Sequence, residues 1–151
     1  MENLWRSPET SSVNRLPMLN IEHPTYLSLD GIWNFQLLSH PNAEIGSEWK
    51  SIPVPGLWTM IDGEQPYGDK PIYTNTQMPW DYFPPNVPED NPTGIYERTF
   101  NLSENLVSKR VVLQIGATES VHLLYINGKS VGAGKDSHLA SEYDITEYVT
   151  A

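Results

Sequence analysis

Proline is the residue that most limits what this chain can fold into, and it is densest between Pro71 and Tyr96. Each proline fixes its own φ, removes a backbone donor and shifts the preceding residue towards an extended conformation. A connection of about 18 residues without regular structure usually indicates function or disorder. Aromatic residues favour order here, either as a binding loop on a rigid scaffold or as a surface loop capping one end of the fold. The loop contains Pro79, Trp80, Tyr82, Phe83, Pro84, Pro85, Pro88 and Pro92.

Short strands and turns explain most of the remaining pattern. The 13 prolines and 10 glycines are spread through the chain, which favours strands joined by turns over long helices. Trp33, Phe35 and Leu37 alternate with a second, more polar face, as in a half-buried strand. Asn127-Gly128 lies between two apolar runs and predicts a tight hairpin, because a type I′ turn needs positive φ at both central positions.

The predicted strands are short and closely spaced. They cover 32–38, 51–56 with a continuation through 57–61, 71–75, 94–102, 110–116, 120–126, 129–132 and 141–149, the last as a strand alone or a strand and a short helical turn. The prolines of 51–56 confine that segment to a sheet edge or bulge. About seven or eight such strands indicate an all-β sandwich, and a jelly roll fits best.

The first 26 residues form a separate, proline-punctuated segment. They show no clear period, so we predict an extended arm at 1–26 and a single sandwich domain at 27–151. Apolar residues would be unnecessary in a free arm, so we expect the arm to dock on this domain or on a neighbour. The candidate anchors are Trp5, Leu16, Met18, Leu19 and Ile21.

Charge and composition exclude several classes of partner. The formal net charge is −10, from 9 basic and 19 acidic residues, which disfavours nucleic acids and anionic membranes. The chain has no cysteine, which fits a reducing, cytoplasmic compartment. Met1 to Pro8 do not resemble a signal peptide, and no apolar run approaches the roughly 20 residues that cross a bilayer.

Neither a metal site nor a catalytic pair is evident in the sequence. The four histidines (His23, His40, His122 and His138) have no ligand-like spacing, so we predict no metal site. The acidic residues Glu97, Glu119 and Glu142 lie in no motif that pairs them, and a solvated strand face explains each. No residue of this chain is therefore predicted to be catalytic.

A few polar and aromatic residues receive specific predictions. Trp33 and Trp58 lie in strand-like runs and are expected in the core rather than on a ligand platform. Asp136 and Ser137 are expected to shape their loop through local bonds to the backbone, with a domain interface as the alternative.

Several segments together carry a family resemblance. They are Leu29-Asp30-Gly31-Ile32-Trp33-Asn34-Phe35, Val54-Pro55-Gly56-Leu57-Trp58, Pro71-Ile72-Tyr73-Thr74-Asn75, Pro84-Pro85, Asn91-Pro92-Thr93-Gly94 with Tyr96, Tyr125-Ile126-Asn127-Gly128-Lys129 with Val131-Gly132, and Lys135-Asp136-Ser137 with Ser141-Glu142-Tyr143-Asp144-Ile145. In this order they resemble the N-terminal jelly-roll, galactose-binding-domain-like module of glycoside hydrolase family two. The segments around Asn75 and the paired prolines resemble the β-galactosidase branch more than the β-glucuronidase branch. Near the start, Trp5, Pro8 and Asn14-Arg15-Leu16 resemble the long bacterial members.

The resemblance implies one substrate-binding residue, Asn75. In the family, the matching asparagine hydrogen-bonds the galactosyl unit, and a neutral amide that both donates and accepts suits sugar hydroxyls. The alternative is that Asn75 only caps its strand by bonding nearby backbone. Trp80 could face the same sugar site or the catalytic barrel.

The resemblance also implies what lies outside this chain. The family's catalytic glutamates sit on a (β/α)₈ barrel, which needs about 250 residues, and its sodium-binding aspartate follows the late strands. We therefore expect a truncated jelly roll that lacks its last strands. Leu4 and Ser7 occupy the places of magnesium-binding residues, so magnesium and sodium would bind the parent enzyme elsewhere.

The expected function is a non-catalytic sugar-binding domain of a β-galactosidase that acts on β-D-galactosides such as lactose. The domain would support the barrel, contribute Asn75 to galactose binding and belong to a homo-oligomer. Two alternatives stay open from the sequence: a free-standing carbohydrate-binding module, and a purely structural or assembly domain.

Overall fold

A computed structural model describes residues 3–17, 23–61, 63–72, 75, 80–81, 83 and 85–150. The elements in this part of the chain are eight strands, one short α-helix and two 3-10 turns, so the predicted all-β class is confirmed. The chain divides into two compact units, one formed by Ser28–Phe100 and the other by Met1–Leu27 with Asn101–Ala151.

The elements occur in the following order along the chain, with the longest interval between β3 and β4. The strands are β1 (Ser12–Val13), β2 (Gly31–Leu38), β3 (Lys50–Val54), β4 (Thr93–Glu97), β5 (Val112–Ile115), β6 (His122–Ile126), β7 (Lys129–Gly134) and β8 (Ser141–Asp144). The helix α1 spans Glu104–Val107, and the 3-10 turns span Leu4–Arg6 and Thr146–Tyr148.

The Ser28–Phe100 unit is organised around β2. Its antiparallel sheet has the order β3-β2-β4. Phe35 lies opposite Lys50 of β3 and Tyr96 of β4. Phe35 and Ile52 are fully buried. Gln36, on the other face of β2, is also buried. Its side-chain amide exchanges two hydrogen bonds with the backbone of Gly46, at 2.7 and 2.9 Å, so its polar atoms are satisfied.

The second unit contains two sheets, with strand orders β1-β7-β6 and β5-β8. Tyr143 of β8 connects them, because its fully buried ring lies against β7 at Gly132, where a Cβ atom would approach the ring to 2.5 Å. A side chain at position 132 would therefore push the sheets apart. The remaining fully or largely buried residues of this unit are Leu4, Ile126, Val131, Ala133, Ser141 and Ile145.

Within the second unit, the N-terminal segment packs against strands β7 and β8. Ser12 and Val13 pair with β7 opposite Gly134 and Ala133, and the Leu16 amide donates to the Glu142 carbonyl at 2.8 Å. Three of the expected anchors, at positions 18, 19 and 21, lie outside the described residues. The division into an arm at 1–26 and a domain at 27–151 stays a prediction.

Three predicted strands differ from the structure. The continuation at 57–61 forms two tight antiparallel bridges, Leu57 with Met60 and Ile61 with Glu64. The predicted strand 71–75 is wrong at Pro71, Ile72 and Asn75, which lie outside any strand, and positions 73–74 fall outside the described residues. The strand predicted at 94–102 ends at Glu97, and the next side chain, Arg98, donates to the backbone carbonyl of Leu29 at 2.8 Å.

Candidate functional site

The proline loop, residues 71–92, holds both residues that the sequence associates with sugar binding. Asn75 is exposed at a bend of the chain. Trp80 is half-buried in the same loop. Positions 73–74, 76–79, 82 and 84 lie outside the described residues, so the contacts of these two side chains with them are not described.

Apolar side chains accompany the amide at the loop surface. Phe83 is 84% exposed and Ile72 is 57% exposed. Asp81, next to Trp80, is exposed as well. The loop thus presents the neutral amides of Asn75 and Asn86 together with large apolar groups, a composition that suits contact with a neutral ligand or with another protein surface.

Both ends of the loop are fixed to the Ser28–Phe100 unit. At the beginning, the Asp69 carboxylate accepts a hydrogen bond from Trp58 Nε1 at 2.6 Å and from the Lys70 amide at 2.9 Å. At the end of the loop, just before β4 begins, the backbone N–H of Asn91 donates to the backbone carbonyl of Ser39 at 3.0 Å. These anchors determine where the loop leaves and rejoins the sheet.

An aromatic cluster stands next to the loop anchors. Phe35 packs against Trp58, Tyr67 and Tyr96, with ring centroids 6.2, 4.7 and 5.0 Å apart. Gly94 permits this packing, because a Cβ atom there would lie 2.9 Å from the rings of Phe35 and Trp58. Burial, and then the neighbouring Tyr67, raise the pKa of Tyr96 to about 12, so its hydroxyl stays neutral.

Trp33, in β2, and Trp58, in the turn between Leu57 and Met60, both pack within the Ser28–Phe100 unit and are half-buried. Trp58 belongs to the aromatic cluster and is half-buried. Trp33 is half-buried too; its Nε1 donates to the Leu29 carbonyl at 2.8 Å, and the Arg98 guanidinium lies 5.9 Å from its ring centroid. Both side chains contact neighbours in the fold, but neither is buried in the core as the sequence predicted.

The candidate acids contact polar neighbours, and none of these neighbours is another carboxylate. Glu97 accepts from Asn34 Nδ2 at 3.3 Å, and Glu142 accepts from Gln114 Nε2 at 3.2 Å. Glu119 pairs with His138 at 3.0 Å. A retaining glycosidase needs two carboxyl groups about 5–5.5 Å apart, and these contacts do not assemble such a pair.

The histidines and acids that the structure describes do not gather into a metal centre. Among the described residues, no group of three His, Asp or Glu side chains is close enough to hold a metal ion. His122 Nε2 is instead hydrogen-bonded to the Tyr143 hydroxyl, and His138 Nε2 is hydrogen-bonded to the Glu119 carboxylate. No helix in the described part of the chain is long and apolar enough to cross a membrane.

Asp136 forms a hydrogen bond and ion pair with a residue that is remote in sequence, a contact that the prediction of local backbone bonds did not include. Its carboxylate is bonded to the guanidinium of Arg15, whose side chain is only 8% exposed. Arg15 also donates to the Ala140 carbonyl at 2.9 Å. Asn14, at φ 55°, donates to the Val131 carbonyl at 2.8 Å. Asp136 therefore holds the N-terminal segment in place.

Sequence reasoning missed a groove in the second unit. It has a volume of about 690 Å³ and is lined by Asn14, Arg15, Leu16, Arg110, Val131, Asp144, Thr146, Glu147 and Tyr148. Hydrogen bonds from Thr146 and then Arg110 lower the pKa of Asp144 to about 2. The groove joins residues from both ends of the chain, so no local sequence signal could have found it.

Comparison with known proteins shows which family this sequence matches. The family described as glycosyl hydrolases family 2, sugar binding domain, matches residues 26–151. The chain belongs to this family. The match contains Asn75, Trp80 and the whole proline loop, so the loop is part of the sugar-binding domain itself.

Curated relatives share one name. A β-galactosidase of Vibrio vulnificus (strain CMCP6) is 39% identical over 170 residues, covering 97% of this chain and 16% of that protein. One from Kluyveromyces lactis is 38% identical, with 99% of this chain and 15% of that protein covered. One from Yersinia pestis bv. Antiqua (strain Angola) is 35% identical, with 97% and 14% covered. The chain thus spans about one-sixth of their length or less.

Proposed function

We propose that this chain is the N-terminal, non-catalytic sugar-binding domain of a β-galactosidase that hydrolyses terminal β-D-galactosides such as lactose. The family match over 26–151, together with the exposed amide of Asn75, carries the proposal. The names of the relatives support the galactoside as substrate. In this proposal the chain supports a catalytic barrel and completes the sugar pocket.

Asn75 is assigned to the galactosyl unit. Its amide offers two donors and an acceptor, and it remains neutral at every pH at which the protein is folded. Sugar hydroxyls both donate and accept, so one amide can bind two neighbouring hydroxyls. The two ends of the proline loop are anchored through Asp69 and Asn91.

The bond-breaking groups are assigned to the barrel. Retaining hydrolysis requires a nucleophile and an acid/base about 5–5.5 Å apart, and Glu97, Glu119 and Glu142 are engaged with other partners. A (β/α)₈ barrel takes about 250 residues, whereas this chain has 151. In this proposal the exposed Ile72 and Phe83 pack against the barrel.

Several properties of the parent enzyme complete the proposal. Magnesium and sodium would bind residues outside this chain, since its described residues offer no cluster of ligands. The parent would be a homo-oligomer in the cytoplasm, and the absence of cysteine agrees with that compartment. The net charge of −10 disfavours nucleic acids and anionic membranes as partners.

A chimera tests the proposal. Residues 1–151 would replace the matched segment of the Vibrio vulnificus β-galactosidase. We expect the chimera to hydrolyse an aryl β-galactoside, and neither this chain alone nor the Vibrio protein without its matched segment to do so. Hydrolysis by the chain alone, or a folded but inactive chimera, would overturn it. Calorimetric binding of galactosides by the chain alone would favour a free-standing carbohydrate-binding module instead.

A further inference from the structure

The imidazole ring of His122, in β6, is hydrogen-bonded at both of its nitrogens. Nε2 lies 2.7 Å from the Tyr143 hydroxyl oxygen, and Nδ1 lies 2.7 Å from Thr118 Oγ1. In a neutral imidazole one nitrogen donates and the other accepts, and two hydroxyl groups satisfy both. Protonation turns both nitrogens into donors, so one hydroxyl would have to direct its hydrogen elsewhere. These contacts therefore favour the neutral ring.

Residues 12–16 of the N-terminal segment lie beside this ring. The strand register places Ser12 opposite Gly134 and Gly134 opposite His122, so the three residues form one row across β1, β7 and β6. Gly134 leaves room for the ring, because a Cβ atom there would lie 2.8 Å from His122 Cε1 and 3.1 Å from the Tyr143 hydroxyl oxygen. The imidazole thus lies over β7, the strand on which the segment pairs.

The last two residues of the segment anchor it to β8 and to the loop before β8. The Leu16 amide donates to the Glu142 carbonyl at 2.8 Å. The Arg15 guanidinium donates to the Ala140 carbonyl at 2.9 Å and is bonded to the Asp136 carboxylate. Because the Arg15 side chain is largely buried, solvent screens its charge poorly.

The charged and ionisable groups around His122 come from β8, the N-terminal segment and the residues before β6. β7 faces the ring with a glycine, and β8 faces it with the Tyr143 hydroxyl. Before β6, the exposed Glu119 pairs with His138. From the segment, the Arg15 charge acts on the ring: burial, and then this guanidinium, lower the pKa of His122. A proton on His122 is therefore repelled by the group that anchors the segment.

We propose that His122 is a pH-sensitive latch for the N-terminal segment, and that its protonation releases residues 12–16 from β7 and β8. Release takes the Arg15 charge away and opens the ring to water, so the released form binds the proton more tightly. The state that binds the proton better gains population as pH falls. Release is therefore favoured below the ordinary histidine pKa of 6.5. The latch does not depend on the assignment of Asn75.

Amide hydrogen exchange measured by NMR on the 151-residue chain tests the latch. The Leu16 amide reports release of the segment, whereas the buried Ile145, whose amide donates to the Val111 carbonyl at 2.9 Å, reports unfolding of the whole unit. We expect Leu16 to be less protected than Ile145. Its protection factor should fall by up to ~10-fold between about pH 7.5 and 5.5, a ceiling set by the ordinary pKa of histidine. Equal protection of both amides would overturn the proposal.

Two histidine variants separate this ring from the other histidines. His122→Gln cannot bind the proton, so its Leu16 protection factor stays nearly constant over the same pH range. His138→Gln removes an exposed histidine and retains the wild-type fall. A wild type without the fall overturns the proposal, and so does a fall that persists in His122→Gln.

A titration of the His122 ring by NMR tests the coupling without replacing the histidine. Arg15→Gln removes the charge of the segment, so the pKa of His122 rises towards its ordinary value. Arg110→Gln is the control, because it removes an exposed cation of the same unit that is bonded to Asp144 at 2.7 Å, and the His122 titration stays unchanged. If the pKa of His122 does not rise in Arg15→Gln, the segment and the ring are not coupled and the proposal is wrong.

Discussion

His122 Nε2 and the Tyr143 hydroxyl oxygen lie 2.7 Å apart, and this hydrogen bond joins the two sheets of the Met1–Leu27 and Asn101–Ala151 unit. The other ring nitrogen, Nδ1, lies 2.7 Å from Thr118 Oγ1. The two rings meet edge to face, with centroids 5.7 Å apart. Burial raises the pKa of Tyr143. Burial, and then the nearby Arg15 guanidinium, lower the pKa of His122. Both groups are therefore neutral near pH 7.

Removing the hydroxyl tests what this bond contributes. Tyr143→Phe keeps the ring in place but leaves Nε2 of His122 without its partner, so the free energy of unfolding falls by about 1–3 kcal/mol. Urea denaturation measures the change. Tyr125→Phe is the matched control, because Tyr125 is 54% exposed and its loss of a hydroxyl costs little. Equal stabilities of wild type and Tyr143→Phe would show that the bond contributes nothing.

The lowered pKa of His122 makes stability depend on pH in a defined direction. In the unfolded chain this histidine binds a proton near its ordinary pKa of 6.5, whereas the folded protein resists protonation. The unfolded state thus binds more protons as pH falls below 6.5, and folding loses free energy until the folded pKa is reached. His122→Gln removes this contribution, so its unfolding free energy falls less steeply than that of the wild type between about pH 7 and 5. Parallel curves for the two proteins would contradict this.

Asp144 predicts a second loss of stability with falling pH, in a more acidic range than that of His122. Its carboxylate accepts from Thr146 Oγ1 at 2.6 Å and from Arg110 Nε at 2.7 Å, and its pKa is lowered from 3.8 to about 2. The stabilisation is fully present above 3.8 and is lost as pH falls towards 2. An NMR titration of the carboxyl carbon should show its midpoint near 2 in the wild type. Thr146→Val should raise the midpoint more than Arg110→Met, and the reverse order would be inconsistent with the hydroxyl as the main cause.

Close packing at Gly132 predicts that one methyl group added at this position strongly lowers the stability of the protein. A Cβ atom there would lie 2.5 Å from the Tyr143 ring and 2.7 Å from the Val13 carbonyl oxygen. Gly132→Ala therefore forces β7 away from Tyr143 and lowers the free energy of unfolding by about 1–3 kcal/mol. Gly116→Ala is the control, since nothing lies within 4 Å of its added methyl. Thermal unfolding of both variants measures the difference, and similar melting temperatures would contradict the packing argument.

Local signals in the sequence predicted much of the secondary structure. The alternation that includes Phe35 became the central strand β2, and Asn127-Gly128 became the turn between β6 and β7. The segment 141–149, predicted as a strand alone or as a strand followed by a short helical turn, forms β8 and then the 3-10 turn Thr146–Tyr148. Each of these depends on residues within one turn or one strand, where period and turn chemistry decide the conformation.

Long-range contacts could not be predicted in the same way. The pairing of Ser12 and Val13 with β7, and the bond between Arg15 and Asp136, join residues more than one hundred positions apart. No periodicity identifies such partners. The candidate site was also not visible in the residue pattern alone: an exposed asparagine in a proline-rich loop has many explanations, and only the ordered resemblance singled out Asn75.

The most direct test of the sugar-binding account is the catalytic efficiency of the chimera after Asn75→Ala. Loss of one neutral hydrogen-bonding group to the galactosyl unit should lower kcat/KM for an aryl β-galactoside by roughly 3- to 10-fold. Asn86→Ala, at another exposed asparagine of the same loop, should leave kcat/KM unchanged. If Asn75→Ala has the same kcat/KM as the unmutated chimera, Asn75 does not contact the sugar and the central claim is wrong.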